Sequence, residues 1–127
     1  MFEKLQLTRM ANTMAERAGA RLGVAAQNIA NADTPGYKAM DLPSFAETYR
    51  ENATAMRATR TGHLTPEEGV AEPMLRRAKG AGAPNGNTVS LEQEMVKTAN
   101  IRQDHDMALA IYRNTSDIIR ASLGRAR

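Results

Sequence analysis

The chain has 127 residues, of which 42% are apolar but only 4% aromatic, with no Trp and no Cys. Large side chains supply most of the burial in a self-contained core, so a deep aromatic interior is excluded, and without cysteine so are disulfides and thiolate metal sites. Seventeen basic against fourteen acidic residues leave a formal charge of +3, spread along the chain rather than gathered into the basic, aromatic-studded stripe of a nucleic-acid binder.

The first residues, Met1-Phe2-Glu3-Lys4-Leu5-Gln6-Leu7, lack the apolar run of a secretory signal. No stretch approaches the roughly 20 apolar residues of a transmembrane helix. From Leu5 to Asn31 the periodicity predicts one long helix. Leu7, Ala11, Met14, Ala18, Leu22, Ala25 and Ile29 follow at steps of four, three, four, four, three and four, which keeps them on a single stripe. Such a helix is about 40 Å long at roughly 1.5 Å per residue, and it cannot bury that stripe against itself. Gly19 and Gly23 interrupt the pattern, each weakening an isolated helix by about 1 kcal/mol relative to Ala.

The helix is expected to stop at Asn31, a residue that tolerates the left-handed conformation of a helix end. Pro35 cannot continue the hydrogen-bond ladder. Thr34-Pro35-Gly36-Tyr37 fits a type II turn, with Pro at its second position and Gly at the third, where φ is positive.

The middle zone, residues 38–87, carries weaker signals. Pro43 is suited to open a short helix through Ser44, Phe45, Ala46, Glu47, Thr48 and Tyr49, with Phe45 and Tyr49 on one face. Polar, broken sequence follows Asn52, with short extended pieces expected at Val70 and at Met74-Leu75. Arg76, Arg77 and Lys79 read as a solvated loop, with Glu68 and Glu72 upstream. Gly80 to Asn87 reads as a flexible linker ending in an Asn-Gly turn.

A second long helix is expected from Ser90 to Gly124. Ser90 and Gln93 have the spacing of a capping box, and Glu92 and Glu94 suit the positive end of the helix dipole. No Pro or Gly intervenes before Gly124. A stripe runs through Leu91, Met95, Thr98, Ile101, His105, Ala108, Tyr112, Thr115 and Ile119, and Arg113, Arg120, Arg125 and Arg127 favour the negative C-terminal end. The fold class is therefore mainly α: two long terminal helices as an antiparallel coiled-coil pair around a loop-rich, partly extended middle, forming one domain with zones 1–37, 38–87 and 88–127.

Nothing assembles into a reaction centre. In Asp104-His105-Asp106, successive side chains point about 100° apart on a helix and do not converge. A zinc site of the HExxH type needs His at i and i+4, whereas Ile101 and Leu109 flank His105 at that distance. Neither a nucleophile elbow nor a phosphate-binding glycine loop is present. No catalytic residue, metal or cofactor is expected.

Asn28-Ile29-Ala30-Asn31-Ala32-Asp33-Thr34-Pro35-Gly36-Tyr37 closely resembles the signature that ends the N-terminal helix in the flagellar basal-body rod and hook protein family. Asn85-Gly86-Asn87-Thr88-Val89-Ser90-Leu91-Glu92-Gln93-Glu94-Met95 resembles the segment that enters the C-terminal helix in short proximal rod members of that family. The resemblance implies a structural, non-enzymatic subunit of the proximal rod of the bacterial flagellar basal body, contributing to motility. It implies export through the flagellar type III apparatus without a cleaved signal. Implied partners are further copies, other rod proteins, the rod-base adaptor protein and the export gate, with no nucleic acid and no membrane insertion. The residues expected to serve packing and assembly are Leu7, Met14, Ala18, Leu22, Ala25, Asn28, Ile29, Asn31, Pro35, Gly36, Tyr37, Leu91, Met95, Ile101, Ala108, Tyr112 and Ile119. The competing class is a small basic helical nucleic-acid-binding protein.

Overall fold

A computed structural model of the chain describes residues 2–53 and 74–124. Its elements are α1 (Phe2–Ala30), β1 (Met40–Asp41), α2 (Phe45–Ala53), β2 (Arg76–Arg77) and α3 (Leu91–Gly124). α1 and α3 pack along their lengths as an antiparallel pair: Arg21 of α1 meets Asp104 of α3 at 3.7 Å, while Tyr112, further along α3, lies beside the earlier Thr8 and Asn12.

The seam follows a seven-residue period on both helices. Ala11, Ala18 and Ala25 are buried on α1, and Glu94, Ile101, Ala108 and Thr115 are buried on α3. A strict repeat of seven draws two helices into a left-handed supercoil, because the α-helix itself turns once per 3.6 residues. Alanines at the contact let the helices approach closely, but each buried methyl is worth only about 0.8 kcal/mol. Among the described residues the largest fully buried apolar side chain is Ile101, at 1% exposure. The helix pair is thus long and thinly cored.

The traced stripe and the buried line diverge at the ends of the pair. Leu7, Leu91, Met95 and Tyr112 are exposed, whereas Met14, Leu22, Ile29, Thr98, His105 and Ile119 are half-buried beside the seam. The reason is that Glu94, not Met95 or Leu91, stands on the seven-residue line that leads to Ile101. Val24 and Arg17, outside the traced stripe, are buried because α2 and the segment after the corner cover that side of α1.

α2 begins where Pro43 and Ser44 place it. The Ser44 N–H donates to Glu47 Oε2 at 2.7 Å and the Glu47 N–H donates to Ser44 Oγ at 3.3 Å, a reciprocal capping box. Phe45 and Tyr49 stack at 5.9 Å between ring centroids. Arg17 reaches from α1 to donate to the Thr48 hydroxyl, and burial pushes its guanidinium below the ordinary value. β1 pairs antiparallel with β2, Met40 opposite Arg77 and Asp41 opposite Arg76. The extended piece therefore falls on Arg76-Arg77 rather than Met74-Leu75, and these arginines belong to a ribbon, with Arg76 held by Glu51 at 3.3 Å. Val70 and His63 lie outside the described residues.

Candidate functional site

The end of a helix leaves carbonyls without partners, and the end of α1 is where the molecule spends its polar side chains. α1 stops at Ala30, and the Asn31 N–H still donates to the Gln27 and Asn28 carbonyls at 3.1 and 3.2 Å. Asn31 does not take the left-handed conformation expected of it. Among the described residues positive φ occurs only at Gly36 and Gly86; Asn31 instead turns its amide back onto the Gln27 carbonyl at 2.8 Å. The type II turn is present: Gly36 has φ 75°, and the Tyr37 N–H donates to the Thr34 carbonyl at 3.3 Å.

Asn28 has no exposure, and its carboxamide pairs with both backbone groups of one residue, Met40. Nδ2 donates to the Met40 carbonyl at 2.7 Å, and Oδ1 accepts from the Met40 N–H at 3.0 Å. The same oxygen accepts from the Tyr37 hydroxyl at 3.3 Å. One side chain of α1 therefore takes the place of a neighbouring strand for Met40, which fixes the chain leaving the turn against the helix it has just left.

Asn87 performs the same task from the other end of the sequence. At 2% exposure, it points its amide nitrogen at the carbonyls of Asn31, Ala32 and Thr34, at 3.0, 2.7 and 2.9 Å. Its Oδ1 accepts from the Val89 N–H at 2.8 Å. Around it the Gly36 N–H donates to the Asn85 carbonyl, and the Thr88 N–H to the Tyr37 carbonyl, both at 3.0 Å. The Thr88 hydroxyl accepts from the Ala39 N–H at 2.8 Å. Gly86, at φ 80°, lies so close to Gly36 that a Cβ there would sit 3.5 Å from the Gly36 Cα. The latter part of the expected linker is therefore bonded into the corner.

Residues 28–37 and 85–95, distant in sequence, thus form one knot in space, at the point where α1 ends and α3 begins. Beside it, Lys97 of α3 bonds Asp41 of β1 at 2.9 Å and lies 3.7 Å from Glu94. Glu94 is buried on the seam with Oε2 lacking a hydrogen-bond partner.

Of the residues singled out for packing and assembly, Ala18, Ala25, Asn28, Ile101 and Ala108 are buried. Met14, Leu22, Ile29, Asn31, Tyr37 and Ile119 are half-buried, while Pro35 and Gly36 are exposed on the rim of the turn. Leu7, Leu91, Met95 and Tyr112 face outward. Sequence reasoning passed over Asn87 as a latch, although it stands in a quoted motif, and it passed over Glu94 as a seam residue, which the seven-residue spacing to Ile101 signals.

The acidic cluster around His105 is split by the helix. Asp104 turns to Arg21, and the His105–Asp106 contact is 3.9 Å. Among the described residues no group of three or more His, Asp or Glu side chains is placed to hold a metal, and no helix is long and apolar enough to cross a membrane. What the geometry accomplishes is mechanical: it locks two long helices into a fixed hairpin.

The chain matches the family described as flagella basal body rod protein over residues 11–38, the stretch of α1 and its corner. It is 33% identical over 101 residues to the flagellar basal body rod protein FlgB of Salmonella typhimurium (strain LT2), covering 72% of this chain and 73% of that protein. Against the FlgB of Agrobacterium fabrum (strain C58) it is 29% identical over 119 residues, 88% of each. Against the FlgB of Escherichia coli (strain K12) it is 31% identical over 101 residues, 71% of this chain and 72% of that protein.

Proposed function

This chain belongs to the flagellar basal body rod protein family, and on that premise we propose that it is a structural subunit of the proximal rod, working by assembly rather than catalysis. The observation that carries the reading is the hairpin itself. Its two helices share a thin alanine seam, its corner is locked by Asn28 and Asn87, and its flanks leave Leu91, Met95, Val96, Met107 and Ile118 exposed. A stiff element with apolar flanks is what a tube built from many subunits requires, because each seam that is weak alone gains burial from its neighbours.

The partners in this reading are further copies of the chain, other rod proteins, the rod-base adaptor protein and the export gate. Its place is the rod of the basal body, reached through the flagellar export route. An in-frame deletion tests the assignment. The expected outcome is a strain without flagella that retains its inner-membrane ring and regains motility when the gene is restored. Normal flagella in the deletion strain would remove the reading.

A further inference from the structure

The locked corner calls for an Asn-Gly pair at positions 85 and 86. Ala83-Pro84-Asn85-Gly86 is a tight turn with Pro at its second position and Gly at its fourth, closed by the Gly86 N–H donating to the Ala83 carbonyl at 2.8 Å. Gly86 holds φ 80°, which glycine takes without strain. Asn85 turns its side-chain oxygen onto the Asn87 N–H at 3.1 Å, the bond to the backbone two residues on for which asparagine is suited.

The same pair is chemically reactive. A main-chain nitrogen can attack the side-chain carbonyl carbon of a preceding asparagine. Glycine permits the approach best, having no side chain to shield its nitrogen and the widest backbone freedom. A bond forms from Gly86 N to Asn85 Cγ, the Cγ–Nδ2 bond breaks, and the amide departs as ammonia with the proton of the attacking nitrogen. Water then opens the cyclic succinimide at either carbonyl and leaves aspartate or isoaspartate at position 85. The closed corner blocks the first step. The peptide unit that must turn to bring Gly86 N onto Cγ is held at both of its groups, its N–H on the Ala83 carbonyl and its own carbonyl on the Gly36 N–H at 3.0 Å. Asn85 is exposed, so water has access and geometry alone withholds the reaction.

We propose that Asn85 is a site of spontaneous deamidation, silent while the corner is latched and reactive when it opens. The reaction marks chains that stay unlatched. Isoaspartate carries the main chain through Cγ and so adds a carbon atom to the backbone between Pro84 and Gly86. That displaces the carbonyl bonded by Gly36, and with it Asn87 from the carbonyls of Asn31, Ala32 and Thr34. A chain marked in this way no longer closes its latch. The inference rests on the corner alone and is independent of the rod assignment.

Trypsin releases residues 80–97 as one peptide, because no Lys or Arg stands between Lys79 and Lys97. Mass spectrometry of that peptide reads conversion at Asn85, with Asn87, followed by the β-branched Thr88, as an internal control. The purified full chain is incubated in mildly alkaline buffer with and without guanidinium chloride, alongside Asn87→Ala. Conversion at Asn85 should be at least about tenfold faster in denaturant than in buffer, since only the open state reacts, and the folded Asn87→Ala protein should fall between the two. Gly86→Ala in denaturant should convert far more slowly than the parent. After return to buffer, isoaspartate, detected by enzymatic methylation, should concentrate in the fraction that a protease digests. Equal rates in buffer and denaturant, conversion at Asn87 matching that at Asn85, or undiminished conversion in Gly86→Ala would overturn the proposal. If Asn87→Ala does not fold, Thr88→Val, which removes the acceptor of the Ala39 N–H, takes its place. A folded corner variant that converts no faster than the parent overturns the proposal, as does isoaspartate spread evenly between digested and resistant chains.

Discussion

Replacing Asn87 by Ala is the most informative single perturbation of the corner. The amide nitrogen of Asn87 lies 3.0, 2.7 and 2.9 Å from the carbonyls of Asn31, Ala32 and Thr34, and its oxygen accepts from the Val89 N–H at 2.8 Å. An NH2 group carries two hydrogens, so the three carbonyl contacts amount to two full bonds, one of them shared. With the Val89 bond, three bonds are lost at a net value of about 1 kcal/mol each. The backbone groups around Asn87 are half-buried rather than sealed, so water recovers part of this, and the cost should be about 2–3 kcal/mol. For a chain of this length that lowers the melting temperature by roughly 10 °C, at about 4 °C per kcal/mol. Thermal unfolding followed by circular dichroism at 222 nm measures it. Asn87→Asp sharpens the test, because it keeps the acceptor for Val89 but turns a carboxylate toward three carbonyls, and it should be at least as destabilising as Asn87→Ala. An Asn87→Asp protein that melts within 2 °C of the parent would refute the reasoning.

The turn, the seam and the α2 cap each give a further expectation. Gly36→Val should cost about 1–2 kcal/mol, since a β-branched residue resists φ of 75°; no atom lies within 4 Å of the added Cβ, so the cost is conformational, and Gly36→Ala should be milder in melting and swimming assays. Ala108→Leu, at a position with no exposure, should separate α1 from α3 at a cost of about 1–3 kcal/mol, seen as a lower urea midpoint; an unchanged midpoint would contradict the close approach. Hydrogen bonds from the Ser44 N–H and hydroxyl hold the Glu47 carboxyl below its ordinary value. A depressed folded-state value stabilises above the unfolded value and is lost as pH falls through the folded one. The stability difference between the parent and Glu47→Gln should therefore shrink below the ordinary carboxylate range, and a difference that stays constant with pH would count against the cap.

Much of this architecture was legible because it is local. A step of three and four over Ala11, Met14, Ala18, Leu22 and Ala25 specifies a helix and its inner stripe. Pro35-Gly36 specifies a turn whose positive φ only glycine takes cheaply. The α3 seam was legible only in part, because hydrophobicity misleads there. Glu94 and Thr115 occupy the buried line while Leu91, Met95 and Tyr112 stand outside it, and the seven-residue spacing of Glu94, Ile101, Ala108 and Thr115 is a better guide than side-chain polarity. The latch could not be read from local pattern at all. Asn87 reaches carbonyls more than fifty residues away, and nothing in the neighbourhood of either segment encodes that meeting. Asn28 is similar: its place at a helix end signals a cap, but its pairing with the Met40 N–H and carbonyl depends on how the chain returns after Tyr37.

A structural subunit of the rod must be physically present in it. Quantitative mass spectrometry of purified hook–basal bodies, prepared in parallel from the parent strain and a strain lacking a hook protein, measures this directly. The account predicts recovery of the chain in a fixed ratio to the other rod subunits in both preparations. Its absence from basal bodies of a fully flagellated strain would contradict it.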